Sequence, residues 1–181
     1  MCSIARPLTV PPAHIHMKTP RLAALALAAA LALPAAPLLA QGGIATGTKA
    51  PAAAVETLDG KRASLGSYVG TGPTLIEFWA TWCGNCRELE PAVAAAQKKY
   101  GAKVRFVTVA VGVNQSAERV RRHAKSHAVP GTLYYDRTGA ASDAYDVPAT
   151  SYVVVLDKAG KVVYTGVGGD QNIDAAVRKA L

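Results

Sequence analysis

Two cysteines, Cys83 and Cys86, stand two residues apart where the apolar run Thr74–Trp79 gives way to a helix-like pattern. A thiol pair at this spacing can open and close an internal disulfide, and the thiolate is the form that reacts. A helix opening at the cysteines presents unpaired backbone N–H groups and its positive dipole end to the first sulfur, which favours that thiolate. Cys83 is therefore the expected attacking sulfur and Cys86 the resolving one. Glu77 lies six residues before Cys83, inside the apolar run. A carboxylate in a buried central strand is costly when ionised and unpaired, so its pKa should rise, which suits a general acid/base serving Cys86. The alternative places Glu77 at a sheet edge, paired with a lysine. Trp82 either shields the site and offers an apolar contact or simply packs, and Arg87 either favours thiolate or is solvated.

The rest of the chain must hold this stretch in place. Its 181 residues allow one domain of ordinary size and a leader, and half of them are hydrophobic. Met1–Ala40 has the pattern of an export signal: Arg6, Lys18 and Arg21 precede the apolar run Leu22–Leu33, and small Ala40 precedes polar Gln41. Met17 is an alternative start, and an uncleaved anchor over Leu22–Ala40 is the rival to cleavage. Removing the leader takes away Cys2 and lowers the formal net charge from +8 to +5. Cys83 and Cys86 are then the only thiols, and one pair closing a tiny loop constrains little of the unfolded chain, so it reads as catalytic rather than structural. A two-thiol metal clip is the next possibility. The basic residues are spread along the chain without interleaved aromatics, which gives no basis for nucleic-acid binding.

Gln41–Ala52 reads as a linker. Ala53–Leu58 and Lys61–Leu65, separated by Asp59-Gly60, predict a β-hairpin. Thr74–Trp79 predicts a buried central strand. The helix after the cysteines has a core face at Leu89, Val93, Ala96 and Tyr100, with Pro91 expected to kink it. Val104–Val111 predicts a second buried strand. Glu118–His127 predicts a helix with Ala117, Val120, Ala124 and Ala128 inward. His123 and His127, four apart on it, have no third ligand in view and sit among Arg119, Arg121, Arg122 and Lys125, so they read as a solvated basic face. A short strand at Thr132–Tyr135, a hairpin of Ser151–Leu156 with Val162–Gly166, and a helix over Ile173–Leu181 complete the chain. The pattern implies an α/β domain: a mixed central sheet with helices on both faces.

Residues 53–181 resemble a thioredoxin-fold domain of the exported TlpA/ResA type. The resemblance rests on EFWATWCGNC around the cysteines, on Pro91, and on YDVPATSYVVVLD at Tyr145–Asp157 followed by Gly160–Val163. Glu77 falls where thioredoxin has a buried Asp, and Gly112–Tyr145 resembles the insertion of TlpA-like proteins. The resemblance implies a thiol–disulfide oxidoreductase whose only redox group is the Cys83–Cys86 disulfide, with no separate cofactor and no metal. It implies protein thiol or disulfide substrates met by Trp82, Gly84, Asn85, Thr150 and Ser151. It further implies a periplasmic location, a membrane thiol reductase as electron donor, and clients such as apocytochrome c. Monomer is the default, and membrane contact is expected only if the leader is an uncleaved anchor.

The chain departs from the family at two positions. Ungapped, the family's cis-proline falls on Ser151, and a cis bond before a non-proline residue costs about 2.5–4 kcal/mol, so a trans Thr150–Ser151 peptide and a reshaped loop are expected. Between the cysteines, Gly84-Asn85 replaces the Gly-Pro of thioredoxin and the Gly-His of disulfide isomerases. Asn85 cannot become a cation, so the thiolate gains less and the couple should be less oxidising than an isomerase's. The expected function is thus a reductase; the alternatives are a disulfide oxidase or isomerase, and a copper or zinc carrier using both thiolates.

Overall fold

A computed structural model describes residues 42–181; the leader expected over Met1–Ala40 lies outside them. Seven strands form one sheet in the order β2-β1-β5-β4-β3-β6-β7. They are β1 (Ala54–Glu56), β2 (Arg62–Ser64), β3 (Thr74–Trp79), β4 (Arg105–Val111), β5 (Thr132–Asp136), β6 (Tyr152–Leu156) and β7 (Val162–Val167). The helices are α1 (Gly84–Tyr100), α2 (Ala117–Ser126), α3 (Ala140–Ala144) and α4 (Ile173–Arg178). β3 is central, parallel to β4 and antiparallel to β6, and every residue of it is buried. Its apolar run has no polar alternation because both faces are covered.

Two cores flank the sheet. Leu75, Val153 and Val155 pack with Leu89, Val93 and Ala96 of α1 and with Ile173, Ala176 and Val177 of α4. Ile76, Phe78, Val107, Val109, Tyr152 and Val154 pack with Val120 of α2, Ala141 of α3 and Tyr145. The period-2 alternation of β3 thus sends Leu75 and Ile76 into different cores. Helices therefore cover both faces, as the pattern predicts. The core face of α1 is the predicted one, with Tyr100 half-buried, and the helix runs on through Pro91 to Tyr100.

Four departures have local causes. Residues 42–52 are not a free linker. Gly47 donates its N–H to the Val162 carbonyl and Ala50 its N–H to the Gly160 carbonyl, while the Ile44 N–H donates to the Tyr145 carbonyl, so this glycine- and alanine-rich segment is an added edge beside the start of β7. Helix α2 ends at Ser126, and Ala128, expected inward, is exposed because His127 is already extended at φ −133°. Helix α3, unforeseen, starts where Asp136 caps it: its carboxylate accepts from the N–H groups of Ala141 and Ser142. Ser151 is outside β6 because its φ is +64°, a left-handed conformation.

Candidate active site

Strand β3 ends at Trp79, and the chain turns through Ala80–Trp82 into α1. The Cys83 N–H donates to the Ala80 carbonyl at 3.1 Å, closing the turn. Thr81 is tied from the other side: its N–H and its hydroxyl both donate to Gln115 Oε1, whose amide donates on to the Val111 carbonyl. Cys83 is the N-cap of α1, and its Sγ accepts the Cys86 N–H at 3.0 Å. A sulfur in the N-cap position receives a backbone donor that a serine or aspartate oxygen would otherwise take, which is the stabilisation a thiolate needs. Cys83 and Cys86 are joined as a disulfide with Cα atoms 5.3 Å apart. Cys83 retains 4% exposure and Cys86 none, so an incoming thiolate meets Cys83.

Glu77 lies on β3, two residues before the strand ends. Its strand neighbours are Thr108 on β4 and Val153 on β6, which rules out the sheet-edge alternative. It is 2% exposed, and its Oε1 is the one buried side-chain oxygen or nitrogen without a hydrogen-bond partner among the described residues. Burial, reinforced by the neighbouring Glu90 carboxylate, pushes its pKa up to about 8. Glu77 and Cys86 line one small cavity with Trp79, Glu90, Val129 and Pro130, about 10 Å³, room for about one water.

The contact residues divide. Trp82 is 40% exposed, held by an Nε1–H bond to the Val113 carbonyl at 2.9 Å. It and Thr150 border a mostly apolar groove of about 220 Å³ with Val113, Val147 and Ala149. Gly84 and Asn85 are exposed beside the cysteines. Ser151 is the correction. It is fully buried; its N–H donates to the Phe78 carbonyl, its hydroxyl to the Gly168 carbonyl, and its own carbonyl accepts from the Gly168 N–H and the Gln171 amide. Every polar group of Ser151 is thus engaged within the chain, which departs from the substrate contact expected of it. The Thr150–Ser151 peptide is trans, as expected from the sequence.

Several site residues were not foreseen. Glu90 carries a legible signal, one helical turn after Cys86 and hence on the same face of α1. Gln115, Val113 and the Gly168-Gly169 turn carry none, because they come from distant loops. At Gly169 a Cβ would fall 2.4 Å from Glu88 Oε2 and 3.2 Å from the Asn85 carbonyl, so glycine allows this turn to lie against the cysteine helix. His123 is not simply solvated: its ring is half-buried, 5.2 Å from Trp79, and stacks on His127 at 4.0 Å. Burial, then the proximity of His127, lowers its pKa. Among the described residues no three potential metal-ligating side chains gather at one point.

A cysteine pair at the start of a helix, just past the end of the central strand of a mixed sheet and sharing a cavity with a buried carboxyl, defines a thiol–disulfide oxidoreductase of the thioredoxin fold. The Redoxin family model matches residues 45–181, and the chain belongs to that family. It is 33% identical over 127 residues to the thioredoxin-like protein YneN of Bacillus subtilis, covering 70% of this chain and 74% of that protein. It is 32% identical over 120 residues to the thiol-disulfide oxidoreductase ResA of the same organism, covering 66% of each. Among solved structures, a thiol:disulfide interchange protein of the thioredoxin family from Chlorobium tepidum superposes with a TM-score of 0.63 at 27% identity, covering 76% of this chain and 98% of that one. The TlpA/ResA-like resemblance is thereby established, and with it the enzyme class and protein thiols as substrates.

Proposed function

We propose that this chain is an exported reductase of protein disulfides, working through the Cys83–Cys86 couple. The observation that carries the reading is a buried Glu77 carboxyl with a partnerless Oε1, sharing a one-water cavity with Cys86. Cys83 attacks a client disulfide as thiolate, its charge held by the Cys86 N–H and the end of α1. The S–S bond of the client breaks, one client sulfur leaves as thiolate, and the other stays bound to Cys83. Cys86 then gives its proton through the cavity water to Glu77 and attacks Cys83 Sγ, expelling the second client thiolate. Trp82 and Thr150 border the groove where the client chain lies against the site.

The reducing direction is supported by Asn85, which adds no cation beside Cys83. The leader pattern of Met1–Ala40 supports a periplasmic site of action. A reductase there needs electrons from a membrane thiol reductase, and apocytochrome c is the client class that the family resemblance suggests. The redox group is the disulfide itself, no metal is required, and the working unit is a monomer.

The test is the reduction potential of the couple in glutathione and dithiothreitol buffers. A value near or below about −270 mV supports the reductase; one near about −120 mV makes the protein an oxidant. Failure to form the internal disulfide at any poise would remove the dithiol mechanism and favour a metal carrier.

A further inference from the structure

The cavity beneath Cys86 has two carboxyl-bearing walls. Glu77 enters from β3, fully enclosed by the sheet. Glu90 enters from α1, one turn beyond Cys86, and is only half-buried, so it connects the cavity with the surface. The remaining walls, Trp79, Val129 and Pro130, offer no side-chain donor beyond the Trp79 indole, and the Pro130 carbonyl is already engaged by the Thr108 hydroxyl at 2.6 Å. A water in this space has the free Glu77 Oε1 as an acceptor, with the Cys86 sulfur and the Glu90 carboxylate as the other polar groups of the wall.

On the α2 side, His123, stacked on His127, is acted on by His127, by the Glu90 carboxylate, by Arg119 and by Arg87, so Glu90 faces both His123 and the cavity. Thr108 and Val153, the strand neighbours of Glu77, are uncharged. Glu90 is the one charged neighbour that acts on Glu77, and it acts as a like charge, opposing ionisation.

We propose that Glu90 is the solvent-side member of a two-carboxyl proton relay, its charge setting the protonation of Glu77 across the cavity and so the proton transfer at Cys86. This rests on the role given to Glu77 above. In the resolving step the Cys86 thiol proton passes through the water to ionised Glu77, the Cys86 thiolate attacks Cys83 Sγ, and the client sulfur leaves with the electron pair of the broken S–S bond. The proton on Glu77 then exits past Glu90. In the reverse step, when an electron donor opens the Cys83–Cys86 disulfide, neutral Glu77 returns a proton to the Cys86 thiolate. Glu90 is a positioning residue in this scheme: it touches neither client nor exchanging bond.

The experiment is a carboxyl-carbon NMR titration of the full chain in its oxidised and reduced forms, with Glu77 assigned through Glu77→Gln. The variants are Glu90→Asp, Glu90→Gln and Glu90→Lys, all polar replacements at a half-exposed helical position. The Glu77 midpoint is expected to stay near the wild-type value in Glu90→Asp. It is expected to fall by about half a pH unit or more in Glu90→Gln, about a threefold change in ionised fraction at a given pH, and further in Glu90→Lys. The pH profile of single-turnover mixed-disulfide resolution should move in parallel. An unchanged Glu77 midpoint in both Glu90→Gln and Glu90→Lys overturns the proposal, as does a midpoint that moves while the resolution profile stays fixed. Absence of exchange in the wild type would instead sink the functional reading, while the titration still decides whether Glu90 acts on Glu77.

Discussion

Ser151 donates its backbone N–H to the Phe78 carbonyl at 2.9 Å while holding φ at +64°. The left-handed conformation aims the Ser151 hydroxyl and carbonyl at the Gly168–Gln171 turn, which in turn lies against the cysteine helix at Gly169. A proline at this position has neither the N–H nor access to that φ. Ser151→Pro alone is therefore expected to lose the Phe78 bond and force the loop to move. The unpaired Phe78 carbonyl and the forced change of φ together cost about 3 kcal/mol, a fall in Tm of roughly 6–12 °C for a chain of this size. Thermal unfolding of the oxidised protein checks it. A variant as stable as the wild type would show that the loop reaches the proline geometry without cost.

Burial of Glu77 makes stability depend on pH. Its folded pKa, about 8, lies above the ordinary carboxyl value of 4.5, so between these limits the folded state holds a proton that the unfolded state has released. Stability is then highest near and below the lower limit and falls as pH rises through the window, by up to about 4–5 kcal/mol from this one group. Glu77→Gln has no charge to bury, and its unfolding free energy should be flat where the wild type declines. Urea unfolding from pH 5 to pH 9 reads the difference. The same variant should slow resolution of the mixed disulfide by about 10²-fold near neutral pH. Equal pH slopes for both proteins would mean that Glu77 ionises as it would in water.

Distinct roles for the two cysteines give a chemical test. Cys83 is the sulfur with residual exposure and the helix cap, whereas Cys86 is enclosed. Cys86→Ser should still attack a client disulfide but cannot resolve it, so a covalent complex accumulates that dithiothreitol releases. Cys83→Ser should form no such complex and lose exchange altogether. Mass spectrometry after incubation with a disulfide-bonded client distinguishes the two. Trapping by Cys83→Ser instead would reverse the assignment.

The parts of this site readable in the sequence are those close together along the chain. The apolar run of β3, the cysteine spacing and the core face of α1 all obey local periodicities, and Glu77 is conspicuous as a charge among apolar neighbours. Ser151 shows the limit. Its mismatch with a proline-bearing pattern is visible in the sequence, and the trans peptide follows from it. That the residue would be buried and bonded to Gly168 and Gln171 does not follow, because those partners arrive from a turn some twenty residues on. Residues 42–52 failed for the reverse reason: a glycine- and alanine-rich composition says little when the backbone, rather than the side chains, makes the contacts with Gly160 and Val162. Glu90 lay within reach of helical spacing, yet its relation to Glu77 exists only once β3 and α1 are packed together.

Trp82 tests the groove. Its ring is 40% exposed beside the cysteines, fixed by the bond from Nε1 to the Val113 carbonyl, and little of the core depends on it. With Val113, Val147, Ala149 and Thr150 it borders a mostly apolar hollow of about 220 Å³, a surface that gains by covering an apolar stretch of client chain. Trp82→Ala should therefore leave stability within about 1 kcal/mol of the wild type, since an exposed position outside the core is involved. Reduction of a peptide or protein disulfide should show KM raised about 5–30-fold, equivalent to about 1–2 kcal/mol of lost contact. Exchange with dithiothreitol, which is too small to lie along the groove, should change little. The contrast between the two substrates carries the test. Equal losses on both would place Trp82 in the chemistry at Cys83 rather than in client recognition, and no loss on either would return it to a packing role.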